Sequence, residues 1–131
     1  MDTTAALSTG LSAGRIALGL GLMLAPARFG GLWIGPAATE GPTQIVVRGL
    51  GVRDVALGVA TIGSLQATGT GGAGFTVLTS LGVLCDVVDT ISTKGSASEI
   101  PGRGIASMAV AAGAAAVGVV TLALARSQPD S

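Results

Sequence analysis

Four apolar runs, each roughly 19 to 23 residues long, dominate this sequence, and that is the length a helix needs to cross the hydrocarbon core of a bilayer. They cover about residues 4–25, 43–65, 74–92 and 104–126. Pro26 stops the first; the breaks GPAATEGP, QATGTGGAG and TKGSASEIPGRG precede the other three. Strict polar–apolar alternation is absent, which excludes the strands of a membrane β-barrel. Charged residues make up 11% of the 131 positions and hydrophobic ones 49%. A soluble domain covers its surface with roughly 25% charged residues, so lipid is the expected solvent for much of this exterior. The sequence predicts an all-α protein: one domain over residues 1–131, built as a four-helix transmembrane bundle in the plasma membrane. The competing reading is a soluble domain of buried Gly/Ala-rich helices. The opening MDTTAALSTG carries an acid and no basic residue, so it reads as the start of a retained helix and not as a cleaved leader.

Apart from Arg126 at the very end of the fourth, six charged side chains fall inside these runs. Arg15 is central in the first, Asp54 in the second with Arg53 beside it and Arg48 nearby, and Asp86 just past the centre of the third with Asp89 one turn on. At 1.5 Å rise per residue, groups on three helices reach a level common to within roughly 10 Å. Each costs about 2.5 to 3.5 kcal/mol at a helix centre. Three arginines against three aspartates balance, so inward-facing Arg–carboxylate forks are the expected solution. Asp86 and Asp89 share a helix face, whereas Arg53 and Asp54 diverge by about 100° and are expected to aim at different neighbours. The fourth run has no charge between Ile105 and Ala125 and reads as an apolar wall.

Glycine is the second structural signal. Twenty-two glycines would weaken soluble helices, but in lipid they allow close backbone approach. Gly19 and Gly21, the set Gly51, Gly58 and Gly63, and the run AVAAGAAAVG are the expected seams. Between the first two runs, ARFGGLWIG places Phe29 and Trp33 four apart on one face. It reads as an interfacial half-helix, with Arg28 at the headgroups, or as a wall over the mouth of the bundle. Arg28, Lys94 and Arg103 lie in the first and third connections and Arg126 at the opposite side. The positive-inside rule then puts those two connections in the cytoplasm.

Several classes are excluded or disfavoured. Zero formal net charge gives nucleic-acid binding no electrostatic support. His and Tyr are absent, which argues against a zinc or haem site, and no metal or cofactor is expected. Cys85 is alone and reads as a small buried hydrophobe. GTGGAG lacks the preceding strand and the following Lys of a phosphate loop. Glu99 and Asp130 read as solvent charges.

The combination of an Arg in the first helix, a Trp after its Pro-ended terminus, R-G-x-G-V-R-D-x-A-L-G in the second and D-x-x-D in the third resembles a family of small four-helix membrane proteins. That family, found in bacteria and fungi, is catalogued as a domain of unknown function. The resemblance spans about residues 10 to 125 and implies the fold and the charged site, with no activity to transfer.

Intramembrane ionisable groups are functional candidates. The leading expectation is an enzyme doing cofactor-free acid/base chemistry on a lipophilic small molecule such as a terpenoid or polyketide: epoxide opening, cyclisation or isomerisation. Asp86 and Asp89 would be acid and base, with Asp54 next in line. Arg15, Arg48 and Arg53 would orient and stabilise charge, and Trp33 and Phe29 could wall the pocket. The alternatives are a small transporter and an accessory subunit whose buried ion pairs only fix helix register. Exposed Gly/Ala faces would also allow a homodimer.

Overall fold

Asp2 starts the first helix, its carboxylate accepting the Ala5 amide at 2.6 Å, the usual way of satisfying an otherwise unpaired first-turn donor. The computed structural model describes residues 2–127, so the sequence expectation for Asp130 lies outside them. Helix α1 spans Thr3–Leu24 and breaks at Pro26, which opens the short helix α2, Pro26–Ile34. A proline suits a first helical turn, where its missing N–H leaves no gap. A 3-10 turn over Gly35–Thr39 leads into α3, Gly41–Thr68, followed by α4, Ala73–Gly95, and α5, Gly102–Ser127. No strand occurs among the described residues.

Among the described residues there are five α-helices: the four long ones expected, and the short α2 where the half-helix was expected. Three of them, α1, α4 and α5, are long and apolar enough to cross a membrane. At 28 residues α3 has the length, but Arg48, Arg53 and Asp54 dilute its apolar character. It also runs past the expected 43–65 at both ends, because Pro42 begins it and Gly69, at φ 65°, ends it.

The long helices alternate in direction, and α1 and α3 meet almost backbone to backbone. A Cβ on Gly19 would lie 2.6 Å from the Gly51 carbonyl oxygen, and one on Gly51 2.6 Å from that of Gly19. Further along the seam, a Cβ on Gly58 would lie 2.7 Å from the Ser12 carbonyl. Between α4 and α5 the contact is with a side chain instead: a Cβ on Gly118 would lie 2.5 Å from Cγ2 of Val83. Gly63 and Gly113, also expected at seams, face open space instead. Gly35 has φ 69° and abuts Pro101, which fastens the turn after α2 to the start of α5.

The distribution of side chains is inverted relative to a water-soluble protein. Leu24, Ile45, Ile91 and Val110 are exposed, while Ser8, Ser12, Thr61, Thr79, Thr121, Asp54 and Asp86 are buried. Large apolar residues thus lie on the outside, with hydroxyls and charges within.

Candidate functional site

The charged residues gather where α1, α3 and α4 face one another. Arg15 projects from the middle of α1 across to α4, where its Nη2 donates to the Gly82 carbonyl at 3.1 Å and also to the Asp86 carboxylate. Gly82 makes this possible: a Cβ there would sit 3.1 Å from Nη2. The other terminal nitrogen, Nη1, lies 3.6 Å from Asp54 on α3. Asp54 in turn is contacted by Arg53, whose Nη2 is 3.1 Å from Oδ1. The same guanidinium holds Asp89 in a fork, with Nη1 to Oδ1 at 3.3 Å and Nη2 to Oδ2 at 2.7 Å.

The result is one alternating ladder, Asp86–Arg15–Asp54–Arg53–Asp89. Its Arg15 end is buried, with side-chain exposures of 10% for Arg15 and 8% for Asp54 and Asp86; Arg53 and Asp89 are more open, at 28% and 21%. Arg53 and Asp54 were expected to part company, yet the arginine side chain is long enough to curl back onto its neighbour while reaching α4. Asp86 and Asp89 both face the ladder, as their spacing predicts.

Arg48 does not join. It is exposed, and its Nε donates to the Met23 carbonyl at 3.2 Å. Six residues from Asp54, it stands about 9 Å further along the helix axis. The expected balance of three against three therefore becomes two guanidiniums against three carboxylates. Fully ionised, the ladder carries one negative charge; with one proton bound it is neutral.

Beside the ladder lies a cleft of about 400 Å³, within the usual range for a small-molecule pocket. Arg15, Arg53, Asp54, Asp86 and Asp89 form one wall; Leu18, Leu22, Leu32 and Leu50 are among the apolar residues forming the rest. Helix α2 supplies Phe29 and Trp33, which share a face and both line the cleft. Phe29 packs over Gly21, where a Cβ would meet its ring at 2.8 Å. Trp33 Nε1 donates to Thr93 Oγ1 on α4 at 3.0 Å. That bond fixes α2 against the end of α4.

Sequence reasoning missed Thr93, Gly82 and a set of buried hydroxyls toward the start of α1. For the hydroxyls a signal existed: Ser8, Ser12 and Arg15 follow the spacing of a single helix face. Among the described residues, no group of three or more His, Cys, Asp or Glu side chains is placed to hold a metal ion. Cys85 is half-buried and free, and Glu99 is exposed. No family model, curated protein or solved structure matches this chain.

Proposed function

We propose that this chain is a multi-pass integral-membrane enzyme, a four-helix transmembrane bundle of α1, α3, α4 and α5 in the plasma membrane. In this reading it performs cofactor-free acid/base chemistry on a lipophilic small molecule. One observation carries it: the charged ladder forms a wall of an apolar cleft of about 400 Å³. The inverted burial pattern supports the membrane setting.

Epoxide opening illustrates the chemistry. A protonated carboxyl of the ladder gives its proton to the epoxide oxygen as the C–O bond breaks. A nucleophile, either water or a hydroxyl of the same substrate, forms the new C–O bond and releases its proton to a second carboxylate. The product is a diol or a cyclic ether, and the ladder's proton count is unchanged. Asp86 and Asp89 take these roles, and Arg15 and Arg53 orient them and stabilise the developing oxyanion. Isomerisation and cyclisation use the same two steps on other bonds. Arg48 has no part in this reading.

An accessory subunit with structural ion pairs is the second reading, favoured by the unbroken pairing of all five charges. Register needs only one such pair, and it needs no cleft. The test compares lipophilic metabolites in cells carrying wild-type protein, none, and an Asp86→Asn variant shown to insert and fold. If deletion and Asp86→Asn build up one precursor and lose one product, the enzyme reading holds. If deletion has an effect that Asp86→Asn does not reproduce, Asp86 is structural and the subunit reading replaces it.

A further inference from the structure

A second cavity, of about 10 Å³, lies against Arg15, nearer the start of α1 than the cleft is. The lining residues place it: Ser8 and Ser12 precede Arg15 on α1, Thr61 follows Asp54 on α3, and Thr79 precedes Asp86 on α4. Thr121 of α5 closes it. Five hydroxyls surround a space of the size one water needs. Thr79 is 7% exposed, and its Oγ1 is buried with no hydrogen-bond partner among the described residues. A buried hydroxyl left unpaired is destabilising, and a water in the cavity would pair it. Thr121 is fully buried and spends its single proton on the Val117 carbonyl at 2.8 Å. Toward the cavity it can therefore only accept. Arg15 offers only donors. A site with an acceptor, a donor and a hydroxyl that can be either suits water, which is both.

We propose that this cavity is a water site, and that it supplies water or protons to the Arg15 end of the ladder from the side where α1 begins. Ser12 and Ser8, one turn apart, lead in that direction. The lipophilic substrate and water would then reach the carboxylates by different routes, and the cleft could stay dry. The use of this water in the reaction rests on the enzyme reading above; its presence does not.

The test is water-to-protein magnetisation transfer by solid-state NMR on the full chain in lipid bilayers, read at the Arg15 and Arg53 guanidiniums. The wild type, Thr79→Val and Thr79→Ser are compared. Rapid transfer to Arg15 is expected in the wild type, slowed severalfold in Thr79→Val and restored in Thr79→Ser. Arg53 lines only the larger cleft, so its transfer should be the same in all three. Slow transfer to Arg15 in the wild type overturns the proposal. So does an Arg15 signal indifferent to Thr79→Val, or an equal loss at Arg53. No turnover is read, so the result stands apart from the outcome of the Asp86→Asn experiment.

Discussion

Arg15 sits between two carboxylates, and removing it would leave both Asp54 and Asp86 buried without their shared partner. Breaking a buried ion pair from one side typically costs 3 to 5 kcal/mol. Arg15→Ala should therefore lose about 3–5 kcal/mol of stability, measured by denaturant unfolding in mixed micelles. Asp89→Asn is a milder change, because Asp89 is partly exposed and Arg53 keeps its contact with Asp54. Its loss should be about 1 kcal/mol, the scale of a partly solvated pair. Equal losses from the two substitutions would mean that the ladder's buried and open ends are energetically alike, against the burial described above.

At the scale of helices, the α1–α3 seam makes the sharpest demand on sequence. Gly19→Ala and Gly51→Ala each place a methyl within 2.6 Å of a carbonyl oxygen on the facing helix. Each should cost about 1–3 kcal/mol by forcing the backbones apart. The double variant should lose less than the sum, since the first substitution opens the seam for the second. Gly49→Ala and Gly63→Ala meet open space and should leave stability unchanged or raise it by up to about 1 kcal/mol, since alanine is the better helix former. Thermal unfolding followed by circular dichroism in one detergent checks all five.

The same seam shows what the sequence discloses and what it withholds. Helix positions were legible, because run length and Pro/Gly breaks are local: α1 at Thr3–Leu24 and α5 at Gly102–Ser127 lie within two residues of expectation. Convergence of Arg15, Arg53, Asp54, Asp86 and Asp89 was legible from depth alone. The role of Gly63 was not, since a glycine at a seam and one facing lipid look alike until helix rotation is known. Arg48 was misplaced for a related reason: depth was weighed without its angle and its distance along α3. The small cavity stayed hidden because serine and threonine pass unremarked in an apolar run.

For the whole molecule, the cleft's position between the ladder and α2 gives it an internal probe. Trp33 is the only tryptophan, it lines the cleft, and its indole N–H is bonded to Thr93. Titrating the protein in micelles with a lipophilic epoxide should shift Trp33 emission in a saturable way, and Leu50→Phe, which narrows the same cleft and leaves Trp33 the only tryptophan, should weaken that saturation. Emission that only follows ligand partitioning into empty micelles would argue that the cleft takes no such molecule.

The order of partners along the ladder also sorts its three acids by how easily each can let go. Asp54 stands in the interior, gripped from both sides. Asp86 and Asp89 are the chain ends, and each is tethered to a single guanidinium. An end can detach, meet an incoming molecule and return while the remaining links stay closed; the middle cannot move without severing two. A ligand can therefore engage either acid of α4 at the loss of one arginine partner, whereas Asp54 is shared by both arginines.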